Sequence, residues 1–240
     1  MHIIMGQSNS IGRASTYALP ADLQKPLENC YIYNKARNRF EVMQAGVNTQ
    51  SNAEQFGPVV KAAQLLRDHK KREVYFIVAG VGNSQLQNSG SKAVQDWHPA
   101  SNEILPQIKK TIDDARKALV AAGKEPVFKS VAWWQGETDG QMQEKANAYQ
   151  ANEEALFASL DEVAYLSNTR RVVYTIFPDV PDVPFAALVN SAKSKRAASD
   201  NRTILVNTAK YDRIPSDKLH ATTTGQLQAG TDLFNAVKGL

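Results

Sequence analysis

Close to the amino terminus the chain reads HIIMGQSNSIG, His2 to Gly12, with Ser8 and Asn9 just past a short apolar run. A run of that kind reads as a buried strand, so Ser8 falls at its carboxyl end. A hydroxyl is a weak nucleophile at neutral pH. It acts only with a base in hydrogen-bond reach, an acid that orients the base, and donors for the oxyanion that develops. Taken alone, Ser8 is first a helix cap or a serine turn. What the rest of the chain brings to it decides between these readings.

The chain offers four histidines. His2 opens the first strand at the end away from Ser8, and His69 lies in the polar helix tail RDHKK; both read as solvated surface groups. His98, in QDWHPAS, precedes a proline near a helix start and reads as a cap. His220, in SDKLHATTTGQ, follows the last apolar strand at the same edge as Ser8, with Asp217 three residues before it. That spacing lets the carboxylate fold back within one turn and hold one ring nitrogen while the other faces Ser8. Apart from Ser8, the pair would read as a surface aspartate and histidine at a helix entry. A third segment, WWQGETDG at Trp133–Gly140, ends another apolar strand. Its glycine permits a sharp turn, and the Gln135 amide is a candidate oxyanion donor. Trp133 and Trp134 read as core and cleft-wall packing.

The elements that must position these groups alternate regularly. Five near-continuous apolar runs read as parallel strands covered on both faces: His2–Met5, Val74–Gly80, Val127–Trp134, Arg171–Phe177 and Thr203–Thr208. Between and after them lie helical patterns, including PVVKAAQLLRDHKK, SNEILPQIKKTIDDARKALVAAGK, residues 141–167, AALVNSAKSKRAAS and TTTGQLQAGTDLFNAVKG. The alternation predicts an α/β protein, one domain over residues 1–240, with a doubly wound sheet of about five parallel strands. Residues 11–54 form a long excursion in which CYIYN and RFEVM pair as a hairpin, and PDVPDVP at 178–184 is a stiff loop. Both leave from the carboxyl edge of the strands, where open α/β sheets bind ligands.

Composition narrows the function. With 42% hydrophobic and 22% charged residues the chain is an ordinary globular one, able to build a core. The net charge of +4 is spread among acids with no aromatic-interleaved basic stripe, which excludes nucleic acid as a partner. The single cysteine, Cys30, excludes an internal disulfide and a thiolate metal cluster, and reads as a small buried hydrophobe. No histidine and carboxylate cluster has metal-ligand spacing, so neither metal nor cofactor is expected. No apolar run approaches the roughly 20 residues of a bilayer span, and no signal-peptide pattern opens the chain. A soluble chain with no membrane partner is expected, either a complete cytoplasmic protein or a domain of something longer. Oligomeric state is left open.

GQSN at Gly6–Asn9, QGETD at Gln135–Asp139 and DKLH at Asp217–His220 stand in order at the ends of strands. Together they resemble the SGNH hydrolases, and more closely the carbohydrate-esterase branch that holds sialate O-acetylesterase-like and plant acetylxylan-esterase-like proteins. The resemblance spans nearly the whole chain. It implies a three-layer αβα, flavodoxin-like sheet and a serine esterase that takes O-acetyl groups from carbohydrate. Position by position, it implies Ser8 as nucleophile, His220 as base and Asp217 as the residue that orients it. Gln135 stands where the wider superfamily has an asparagine, and Gln7, Asn9 and Glu137 take supporting places. The family's oxyanion glycine falls in AGVGNSQL, Ala79–Leu86, where many relatives have two adjacent glycines and this chain has Gly80, Val81 and Gly82. Gly82 is the candidate, giving an oxyanion hole of the Ser8 and Gly82 N–H groups with the Gln135 amide. His220 is followed by alanine where a larger apolar residue is common.

Three other readings compete. GVGNSQ resembles the start of a dinucleotide fingerprint, but Gln85 replaces the third glycine and no acidic residue ends a following strand. A carbohydrate-binding module without turnover would not need serine, aspartate, histidine and glutamine together. A lipase or thioesterase needs a long apolar acyl wall, whereas these loops are rich in Asn, Gln and Ser, which suits sugar hydroxyls.

Overall fold

A computed structural model describes residues 1–49, 52–88, 90 and 94–240. The strands are β1 (His2–Gly6), β2 (Ala14–Ser15), β3 (Leu27–Asn34), β4 (Arg39–Met43), β5 (Gln55–Phe56), β6 (Val74–Gly80), β7 (Ser130–Trp134), β8 (Arg170–Tyr174) and β9 (Thr203–Val206). The helices are α1 (Ser8–Ile11), α2 (Val59–Lys70), α3 (Ile104–Ala121), α4 (Gln143–Asp161), α5 (Ala186–Ser199) and α6 (Thr223–Val237).

Among the described residues, seven strands form one sheet in the order β4-β3-β6-β1-β7-β8-β9, parallel except for β4. The five strands expected from the apolar runs stand in the flavodoxin-like order, second, first, third, fourth and fifth. Every residue of β1 and β7 is buried, as their unbroken apolar runs require for strands covered on both faces. One layer pairs α2 with α6; the other holds α3, α4 and α5.

The expected hairpin forms as β3 and β4, but it is not a detached excursion. β3 pairs in parallel with β6, Cys30 opposite Val74 and Ile32 opposite Phe76, which adds a sixth parallel strand. Its buried Cys30 and Ile32 supply the apolar surface for that place, and Cys30 is fully buried, with burial pushing its thiol up to about 11. Two expected strands are shorter. β7 begins at Ser130, and Lys129 only leads into it, its N–H donating to the Met1 carbonyl at 2.8 Å and its carbonyl accepting from the Arg170 N–H at 2.9 Å. β8 stops at Tyr174, with Thr175 adding one last bond to the Val206 carbonyl. No helix among the described residues is long and apolar enough to cross a membrane.

Candidate active site

Two close glycine contacts place Ser8. Gly6 has φ +134°, and a Cβ there would lie 2.0 Å from the Trp134 carbonyl oxygen, so only glycine lets the end of β1 lie so near β7. A Cβ on Gly80 would lie 2.7 Å from Ser10 Oγ and 2.8 Å from Ile11 Cγ1, so α1 rests directly on the end of β6. Ser8 is the first residue of α1 and is buried.

His220 reaches it from the loop after β9. Its Nε2 lies 2.9 Å from Ser8 Oγ, and its Nδ1 lies 2.8 Å from Asp217 Oδ2. With Asp217 ionised, the ring proton belongs on Nδ1, which leaves Nε2 to accept from the Ser8 hydroxyl. Asp217 Oδ1 also accepts from the backbone N–H groups of Leu219 and His220, at 2.9 and 3.0 Å. Burial works against the Asp217 charge, yet the bonds from the His220 ring and these two N–H groups hold its carboxyl below the usual range. The three residues singled out in the sequence thus stand in one hydrogen-bonded series.

Asn9 and Glu137 lie behind that series. Asn9 Nδ2 donates to Glu137 Oε1 and to the Leu219 carbonyl, both at 2.9 Å, while Asn9 Oδ1 accepts from the Ala221 N–H at 3.1 Å. Asn9 and Glu137 are both buried. Burial pushes the Glu137 carboxyl up, opposed by the Asn9 hydrogen bond and by the charge of Lys193 on α5. Gln7 is buried beside them. Turned so that its nitrogen faces the Ser84 carbonyl (3.2 Å) and Glu137 Oε2 (3.1 Å), its amide donates to both.

Gln135 is not placed as the sequence led us to expect. It is fully buried, and its Nε2 donates to Asp139 Oδ2 at 2.6 Å and to the Ser84 carbonyl at 3.1 Å. An amide nitrogen carries two hydrogens, so neither is left for an oxyanion. Its Oε1 accepts from the Tyr149 hydroxyl at 3.1 Å. Gln135 braces a loop instead. Its partner Asp139 went unremarked in the sequence although it closes the same QGETD motif. Buried Asp139 accepts from Gln135 and from the backbone N–H groups of Leu86 and Gln87, at 2.9 and 3.0 Å. Ser84 Oγ adds bonds to the Val81 carbonyl and from Trp97 Nε1.

The braced loop carries Gly82. Gly82 is exposed, and a Cβ there would meet nothing within 4 Å, in contrast to the tight packing of Gly80. Gly80 is thus required by packing on α1, and Gly82 is left open toward solvent. The signal for Asp139 was present in the sequence: an acid four residues after Gln135, beyond a turn that returns it to the same place.

Trp133 and Trp134 are buried, Trp134 stacking on Tyr174 with centroids 4.9 Å apart. His98 caps a short helical turn by accepting from the Ala100 N–H, and His69 is exposed. His2, expected at the surface, is buried. It stacks on Phe76 and its Nδ1 lies 2.9 Å from Ser130 Oγ. The surrounding strands β6 and β7 cover its side chain, and burial pushes its imidazole well below the usual range.

A hydroxyl, an imidazole and a carboxylate in series at the carboxyl edge of a parallel sheet form the frame that hydrolases of several folds use for acyl transfer. The chain belongs to the carbohydrate esterase family described as sialic acid-specific acetylesterase, which matches residues 1–238. Among curated proteins none matches it. Among solved structures, a protein from Arabidopsis thaliana superposes with TM-score 0.79 at 20% identity, over 98% of this chain and 95% of that one. A carbohydrate acetylesterase from Xanthomonas citri gives 0.67 at 14% identity, over 98% of this chain and 55% of that one. NanS gives 0.67 at 15% identity, over 97% and 94%. At these identities the likeness is one of fold.

Proposed function

We propose that this chain is a serine esterase that removes O-acetyl groups from acetylated carbohydrate through an acyl-enzyme on Ser8. The observation that carries the reading is the unbroken series from Asp217 Oδ2 through His220 to Ser8 Oγ. His220 Nε2 takes the Ser8 proton as Oγ attacks the ester carbonyl carbon, and the carbonyl oxygen becomes the oxyanion. The intermediate collapses, the alcohol leaves with the proton from His220, and acetate remains esterified to Ser8. Water then enters with His220 again as base, releasing acetate and restoring Ser8. The backbone N–H groups of Ser8 and Gly82 receive the oxyanion, and Gln135 and Asp139 hold the loop that carries Gly82.

Acetylated sialic acid, xylan and bacterial surface glycan are the substrate classes, and membership of the carbohydrate esterase family supports the first of them. Acetate release across a panel of these glycans, beside acetyl, butyryl and octanoyl esters of one chromogenic alcohol, tests the reading. Turnover of at least one acetylated glycan and a preference for acetyl are expected. A maximum at octanoyl would favour a lipase or thioesterase, and binding of glycan with no acetate released would favour a module without turnover.

A further inference from the structure

Ser8 is fixed by the sheet, but His220 is carried by a loop. The restraints within that loop orient the ring without tying it to the sheet. Asp217, whose side chain is 40% exposed, lies on the same loop, and so does Ile214, whose N–H donates to the His220 carbonyl at 2.8 Å. Thr208 and Arg213 anchor the start of the loop to Thr175 and Pro178, and the tie at His220 itself comes from Asn9. Its amide donates to the carbonyl of Leu219 and accepts from the N–H of Ala221, so it grips the peptide groups on both sides of His220. Glu137, at the end of β7, takes the amide's other donation.

That third contact fixes which way the amide faces. A reversed amide would set Oδ1 against the Glu137 carboxylate and the Leu219 carbonyl, and the nitrogen against the Ala221 N–H. All three bonds would become repulsions. An aspartate at position 9 would likewise set a second carboxylate against Glu137, and an alanine would leave the buried Glu137 Oε1 and Ala221 N–H and the partly buried Leu219 carbonyl without this partner. Asparagine alone among the small polar side chains supplies two donors and an acceptor in this order.

We propose that Asn9, oriented by Glu137, is the positioning residue that sets His220 against Ser8. The proposal rests on the reading of Ser8 and His220 as nucleophile and base. Among the described residues, Asp217 stands at His220 Nδ1, and Glu137 stands behind Asn9 with the charge of Lys193 acting on it.

The test compares Asn9→Ala, Glu137→Gln and Asp217→Asn with the wild type. Turnover of a chromogenic acetyl ester is followed against pH, with thermal melting and imidazole ¹H–¹⁵N spectra of the full chain. Asn9→Ala leaves Asp217 on the His220 ring, so kcat should fall about 10²-fold at little change in KM, the cost of a misplaced reacting group. Its His220 ring signals should broaden or multiply. Asp217→Asn should move the midpoint. Glu137→Gln keeps an acceptor for Asn9 and should lower kcat less than Asn9→Ala, which keeps the proposal testable if Asn9→Ala does not fold. A folded Asn9→Ala protein with kcat within about threefold of wild type and an unchanged ring spectrum would overturn the proposal. So would an unfolded Asn9→Ala protein together with a Glu137→Gln protein of wild-type kcat. If the wild type turns over no ester, the proposed function fails, and the ring spectra still decide whether Asn9 fixes His220.

Discussion

Gln135 Nε2 lies 2.6 Å from Asp139 Oδ2, and both side chains are fully buried. A buried donor and a buried carboxylate that satisfy each other are costly to separate, so the pair is a brace for residues 84–87 before it is anything else. Gln135→Ala should lower stability by about 3 kcal/mol, because Asp139 and the Ser84 carbonyl lose a donor without gaining water. Its kcat per titrated active site should stay within about tenfold of wild type. Thermal melting beside active-site titration checks this. An unchanged melting temperature with kcat down by about 10²–10³ would restore an oxyanion role.

The two glycines after β6 should respond differently to the same substitution. Gly80→Ala forces a methyl group into Ser10 Oγ and Ile11, so it should displace α1 and reduce both stability and kcat. Gly82→Ala has room and keeps its N–H, so it should fold and turn over normally. Gly82→Pro removes the N–H and should lower kcat by about 10²–10³. Wild-type kcat in a folded Gly82→Pro protein would remove Gly82 from the oxyanion hole.

The pH dependence of turnover follows from Asp217. Its carboxyl sits below the ordinary range, so it stays ionised wherever neutral His220 acts as base. Turnover needs neutral His220, so kcat/KM should rise with pH in a single step. For stability the sign is that of a depressed carboxylate. The Asp217 contribution is present above the ordinary carboxylate pKa and is lost as pH falls through the folded value. Glu137, Asp139 and Glu153 are raised by burial and act in the opposite direction, so the measurement is the difference between wild type and Asp217→Asn. That difference should shrink on acidification; a constant difference down to the acid transition would contradict the assignment.

Much of this arrangement was legible in the chain because strands are local. Unbroken apolar runs marked five strands, and motifs at their ends fell at one edge of the sheet by topology alone. That brought Ser8, Asp217 and His220 to one place. Partner choice was not legible. The β3 and β4 pair was visible as a hairpin, but its union with β6 depends on which apolar face finds which neighbour. The Gln135 amide had the right chemistry for an oxyanion, and only the return of Asp139 to the same point shows that its hydrogens are already taken. The burial of His2 has a similar cause: a polar residue at a strand start is covered when neighbouring strands run past it.

In the proposed reaction Ser8 carries the acyl group. Rapid quenching of the reaction with a chromogenic acetyl ester, followed by peptide mass analysis, measures this directly. Wild-type protein should carry one acetyl group on the peptide containing Ser8 during turnover. Ser8→Ala should melt as the wild type does, carry no acetyl group and release no acetate. A folded Ser8→Ala protein with wild-type turnover, or an acetyl group on another residue, would remove Ser8 as the nucleophile.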